Sequence, residues 1–244
     1  MKKVLIIDSG SGGVNILAKC VKFCPNNNYL LFLDQKNLPY GEKSGEDLRR
    51  ISREIIENTC KFFKPEIVVI GCNSLTSVAI SFLRKCFPKI TFIGSEPAIK
   101  PALRGFDKNE ILVLATDVTI KNSKVLKRYK KICKSPKNLP KFIDENLFDR
   151  KKIEDYLKSA LQNFNGKALV LGCTHFEGIK EELKKIFPDV KLFESGEGIA
   201  KRLKSFSNQK NEFQVQIMTS GDPKKLGLFY EYFSLTVAKE MQEG

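Results

Sequence analysis

The chain has 244 residues, 42% hydrophobic and 29% charged, which excludes disordered and fibrous classes and leaves room for one large domain or two small ones with real cores. Seven scattered cysteines, an odd number, fit a reducing cytoplasm better than a disulfide framework. The net charge of +14 has a local source, nine basic and no acidic residues within 121–141; with Tyr129 as the single aromatic among them, this run reads as a solvated lysine-rich helix and loop and argues against nucleic acid as a partner.

In chain order, the first apolar run covers residues 4–7 and stops at Asp8. No later stretch reaches about 18 uninterrupted apolar residues, so the sequence predicts no membrane span and no cleavable signal. Further strand-like runs lie at 29–33, 67–70, 90–93, 111–114, 168–171, 190–193 and 213–218, with helical-length stretches of mixed polarity between most of them. That alternation predicts an α/β class with mainly parallel sheets covered on both faces.

The chain also repeats itself. Ile67-Val68-Val69-Ile70-Gly71-Cys72-Asn73-Ser74 aligns with Ala168-Leu169-Val170-Leu171-Gly172-Cys173-Thr174-His175, and the Phe87-Pro88 turn aligns with Phe187-Pro188. Residues 4–9 pair more weakly with 111–116. The repeat predicts two pseudo-symmetric α/β domains facing each other across a cleft, residues 1–94 plus 206–244 and residues 95–205, each offering one cysteine at the carboxyl end of a strand. Open α/β sheets place ligand sites at those ends.

Cys72 and Cys173 each follow a strand and a glycine and open a predicted helix, where unpaired N–H groups favour a thiolate. A lone Gly-Cys turn would merely pack a small hydrophobe; two at equivalent positions point to chemistry. A metal would need more ligands than the single histidine, His175, supplies. Two thiols on opposite walls suit inversion at a carbon stereocentre, one removing a proton and the other returning one, with no cofactor. Gly10, Gly12 and Gly13 lack the spacing of a dinucleotide fingerprint, so no nucleotide cofactor is predicted. Cys20 and Cys24 read as core packing.

The ordered set Asp8-Ser9-Gly10-Ser11-Gly12-Gly13, Pro39-Tyr40-Gly41, Cys72-Asn73-Ser74, Glu96-Pro97, Thr116 with Thr119, Gly172-Cys173-Thr174-His175 and Thr219-Ser220-Gly221-Asp222 resembles glutamate racemases of the cofactor-independent aspartate/glutamate racemase superfamily. The resemblance spans nearly the whole chain. It implies that Cys72 removes the α-proton of D-glutamate and Cys173 that of L-glutamate, assisted by Asp8 and His175. Asp8 would accept the thiol proton or hold the substrate ammonium. It further implies that Asn73, Ser74, Thr116, Thr119 and Thr174 bind the α-carboxylate and ammonium, and that Ser9, Pro39, Tyr40 and Gly41 hold the side-chain carboxylate. The implied context is a cytoplasmic homodimer supplying D-glutamate for peptidoglycan, with neither metal nor cofactor. The competing readings are an aspartate or other amino-acid racemase, and a catalytically weak basic binding protein on the same fold. The sequence departs from the family pattern at Ser74, Leu75, Asp117-Val118 and Glu177-Gly178, and Asp144 or Glu145 stands in for a family glutamate.

Overall fold

The structure, a computed structural model, describes residues 1–206 and 214–242. The chain runs β1 (Lys2–Asp8), α1 (Gly12–Phe23), β2 (Asn27–Leu33), α2 (Gly45–Phe62), β3 (Ile67–Ile70), α3 (Asn73–Cys86), β4 (Thr91–Gly94), α4 (Ile99–Ala102), β5 (Ile111–Ala115), α5 (Asp117–Asn122), β6 (Cys133–Lys134), α6 (Leu139–Glu145) and α7 (Arg150–Ala160). It continues through β7 (Ala168–Gly172), α8 (Thr174–Glu177), α9 (Lys180–Ile186), β8 (Lys191–Phe193), α10 (Gly196–Lys204), β9 (Gln214–Thr219) and α11 (Leu226–Gln242). Phe213, the expected first residue of the last strand, lies outside the described residues, as do residues 207–212 and 243–244 of the expected first domain.

The strands form two sheets, ordered β4-β3-β1-β2-β9 and β6-β5-β7-β8. Every strand pair is parallel. Read from the other edge, the second sheet is β8-β7-β5-β6 and matches β4-β3-β1-β2 strand for strand, while β9 has no counterpart. The two-residue strand β6 has no apolar run to announce it in the sequence. Buried strands such as β3 and β7 are apolar at almost every position because both faces are covered. On the first sheet Leu5, Ile7, Val68 and Ile70 pack against Leu48, Ile55, Leu75 and Leu83. Alternate residues Val4, Ile6 and Val69 point to the other face, against Ile16 and Leu17. The second sheet has the same two-sided arrangement.

Two features differ from the sequence reading. Helix α10 lies within the expected second domain, yet Ile199, Ala200 and Leu203 bury themselves in the first sheet's core alongside α1, so the chain re-enters that core before residue 206. Periodicity shows that a helix is amphipathic, not which sheet its apolar face will cover. The repeat helices also differ: α3 runs unbroken for 14 residues, whereas its counterpart is divided into α8 and α9 around Gly178 and Ile179.

The basic residues of segment 121–141 are all solvent-exposed. Among the described residues no helix is long and apolar enough to cross a membrane.

The carboxyl ends of both sheets meet through the glycine loop after β1. No described glycine has positive φ, so this loop needs glycine for space. A Cβ on Gly12 would fall 2.7 Å from the backbone nitrogen of His175 and closer still to Thr174, and one on Gly10 would fall 2.6 Å from Leu38 and 2.8 Å from His175 Nε2. Gly12→Ala is therefore expected to wedge the two units apart and destabilise the fold by about 1–3 kcal/mol. Urea unfolding of the variant, read by circular dichroism, checks this.

Candidate active site

Parallel strands in register bring their carboxyl ends level, and the side chains just beyond those ends form the site. Ile7 pairs with Ile70 in the first sheet, so Asp8 and Cys72 follow on adjacent strands. Ala115 pairs with Gly172 in the second, so Thr116 and Cys173 follow likewise. Asp8, Ser9, Cys72, Asn73, Ser74, Thr119, Cys173, Thr174 and His175 are all buried.

Asp8 is the junction. Its carboxylate accepts hydrogen bonds from the Ser9 backbone N–H at 2.7 Å and, across the cleft, from the Thr174 hydroxyl at 3.0 Å. Burial nonetheless dominates and lifts its pKa from 3.8 to about 6, although the charge of His175 and both hydrogen bonds pull the other way. Cys72 caps the start of α3. Burial pushes its thiol well above the ordinary range, the negative charges of Asp8 and Cys173 add to that, and the N–H groups of Leu75 and Ser74 oppose it. The two thiols are thus close enough to act on each other electrostatically, although they come from different sheets.

The second cysteine has other surroundings. Cys173 opens only a four-residue helix, far less of a dipole than the sequence reading expected. Its Sγ instead lies 3.8 Å from His175 Nδ1. His175 Nε2 in turn lies 3.3 Å from Asp144 Oδ1, both side chains being buried. Burial alone would lower the imidazole's pKa, but the Asp144 carboxylate, followed by Cys173, raises it well above the usual value. For Asp144, burial works upward, and His175 and Ser11 outweigh it to hold the carboxyl below its ordinary range. Ser11 in the glycine loop donates to Asp144 through its N–H at 3.1 Å and through its hydroxyl. Of the two acids that sequence left open, Asp144 reaches the histidine. Glu145 is exposed and pairs with Lys141.

A cluster of uncharged polar groups lies beside these residues. Buried Asn73 leaves both its amide oxygen and its amide nitrogen without partners, the state of a side chain waiting for a polar ligand. The Ser74 and Thr116 hydroxyls lie 2.7 Å apart, and Thr119 completes a triangle at 3.3 and 3.0 Å, spanning the two units. A cavity of about 240 Å³ is lined in part by Pro39, Gly41, Thr116, Asp117 and Lys137. Gly41 passes so near Thr116 that a Cβ would fall 2.7 Å from it. The Tyr40 hydroxyl already donates to Asp34 Oδ2 at 2.6 Å, so its proton is not free for a ligand carboxylate and the donor left on this residue is its backbone N–H.

Sequence reasoning missed Asp34. It accepts from Tyr40, from the Asn37 amide at 2.9 Å and from the Ser220 hydroxyl at 2.6 Å, and so shapes the 37–41 loop. It directly follows β2, one residue beyond Leu33, the register partner of Asp8, and that position was the available signal. Cys20 and Cys24 pack in the first core. Among the described residues no cluster of three His, Cys, Asp or Glu side chains is arranged to hold a metal.

No family profile matches the chain. It is 34% identical over 209 residues to the glutamate racemase of Clostridium acetobutylicum, covering 82% of this chain and 81% of that one. Its fold matches a Bacillus anthracis glutamate racemase with a TM-score of 0.82 at 22% identity, over 95% and 93% of the two chains. It matches the Escherichia coli glutamate racemase, solved with L-glutamate and the activator UDP-MurNAc-Ala, with a TM-score of 0.75 at 25% identity, over 95% and 96%.

Two titrations test the electrostatics. His175 is the only histidine, so its NMR resonance is assigned without ambiguity; we expect it to stay protonated above pH 6.5, and Asp144→Asn, which leaves burial unopposed by that carboxylate, to drop its pKa below 6.5. For Asp8, the folded protein holds the proton more tightly than the unfolded chain does. The resulting stabilisation is full below pH 3.8 and is lost as the pH rises through about 6. Asp8→Asn should therefore add up to about 3 kcal/mol to stability at pH 8 and almost nothing at pH 3, measured by urea unfolding at both.

Proposed function

The chain belongs to the glutamate racemase family and is an amino-acid racemase, and from that premise we propose that Cys72 and Cys173 are the two acid–base groups that interconvert L- and D-glutamate. The observation that carries this reading is the pair of buried thiols from opposite units, Cys72 under the charge of Asp8 and Cys173 3.8 Å from the imidazole of His175.

With L-glutamate bound, the Cys173 thiolate takes the α-proton, and the Cys72 thiol delivers its own proton to the opposite face of the carbanion. The raised pKa of Cys72 suits it to begin as the acid. In the reverse direction the roles exchange. Asp8, with a carboxyl lifted to about 6, is a better acceptor for the Cys72 proton than an ordinary carboxylate. His175, held in its charged form by Asp144, instead stabilises the Cys173 thiolate beside it. The unpartnered Asn73 and the Ser74, Thr116 and Thr119 hydroxyls supply neutral donors for the α-carboxylate, and Thr174, whose hydroxyl proton goes to Asp8, offers an accepting oxygen to the ammonium. Spreading negative charge onto that carboxylate is what makes the α-carbon acidic enough to lose a proton. Ser9, Pro39, Tyr40 and Gly41 are assigned to the side-chain carboxylate. The product D-glutamate would serve peptidoglycan synthesis.

Cys72→Ser and Cys173→Ser should each lower racemisation by about 10²–10⁴-fold while the protein stays folded, because a hydroxyl is a far weaker base at neutral pH. Polarimetry with D- and L-glutamate, and separately with both aspartates, measures this. Undiminished activity in either variant would defeat the two-thiol reading, and optical decay with aspartate alone would reassign the substrate.

A further inference from the structure

Glu177 sits two residues beyond His175, at the other end of α8, and none of the chemistry above uses it. Its side chain is almost completely buried and crowded with partners. Oε1 accepts from the Ser195 N–H at 3.1 Å, the Ser195 hydroxyl at 2.9 Å and the Gly196 N–H at 3.2 Å. Oε2 faces buried Lys19 at 3.2 Å, and Lys19 also pairs with Glu194. Gly196 must lack a side chain here, since a Cβ would fall 2.7 Å from Glu177 Oε2.

Four residues make too short a helix to hold its own position. Within α8 the Phe176 N–H reaches Cys173 O at 3.0 Å, and the Gly178 N–H reaches His175 O at 3.1 Å, so the turn moves as one piece with the thiol and the imidazole. Where that piece sits depends on what grips its ends. At the front, Asn15 of α1 donates to Thr174 O at 3.2 Å. At the rear, Glu177 is gripped by Lys19 of α1 and by the start of α10. Both α1 and α10 pack on the first sheet, which carries Cys72. The grip on the second thiol therefore comes from the unit that holds the first.

We propose that Glu177, clamped by Lys19, Ser195 and Gly196, is a positioning residue that sets the Cys173–His175 side of the cleft against Cys72. The proposal rests on the two-thiol reading. Proton transfer is sensitive to small displacements of the base, and a buried carboxylate held by four donors fixes its segment more tightly than apolar packing does. A shift of α8 should weaken the Cys173 step and leave the Cys72 step in place.

The test uses the full chain with Glu177→Gln, which keeps an oxygen for Ser195 and Gly196 but gives up the charge facing Lys19. Equal free energies of the two enantiomers require kcat/KM to fall alike in both directions, by about tenfold. The α-deuterium isotope effect separates the steps: it should rise with deuterated L-glutamate, where Cys173 removes the label, and fall with deuterated D-glutamate. A merely structural defect would lower the active fraction and leave both isotope effects unchanged, and that result, or equal changes in both, would overturn the proposal. Ser195→Ala, which removes one of the four donors, should shift both effects in the same senses by less, and it decides the matter if Glu177→Gln does not fold. Failure of the two-thiol reading would show separately, as racemisation surviving Cys173→Ser.

Discussion

Everything in the cleft depends on how closely the glycine loop after β1 approaches the Cys173 turn after β7. Space that a Cβ at Gly10 or Gly12 would fill is taken by Thr174, His175 and Asp144. That contact lets Thr174 reach Asp8 and Ser11 reach Asp144, and it excludes water from both. The raised Asp8 and the raised Cys72 follow from this dry environment, and the His175–Asp144 pair stays charged in spite of it because each charge has the other as partner.

The repeat builds two similar frames and fits them with different chemistry. Both cysteines follow the second strand from one sheet edge, β3 and β7. Cys72 opens a long helix and sits beside a carboxylate, whereas Cys173 opens a single turn and sits beside an imidazole. The pseudo-symmetry brings the two cysteines to opposite walls, the arrangement the proposed two-thiol exchange needs. The asymmetry of their partners sets a carboxylate beside one thiol and a charged imidazole beside the other.

The same closeness accounts for a second set of buried charges, apart from the two cysteines. Lys19, Glu177 and Glu194 lie where α1, α8 and the start of α10 converge, at the crossing between the units. Backbone N–H groups at the beginning of α10 need acceptors, and Glu177 supplies them from the opposite unit. Joining the two units at such a point fixes their relative placement, which apolar surfaces would leave freer to slide.

The strand runs, the α/β class, the internal repeat and the paired cysteines were legible in the sequence, because burial on both faces writes itself as continuous apolar runs and duplication writes itself as matching motifs. Asp8, Cys72 and Cys173 stood out because each lies at or just beyond a strand end, and His175 because it follows Cys173 by two residues, positions readable locally. The sequence left Asp144 and Glu145 level; only the direction of the α6 face separated them, turning Asp144 toward His175 and leaving Glu145 exposed. The sheet that α10 covers, the commitment of the Tyr40 hydroxyl to Asp34 and the clamp on Glu177 were likewise decided by the tertiary structure. Each depends on a contact between segments far apart in the chain, and periodicity along one segment carries no information about the surface it will meet.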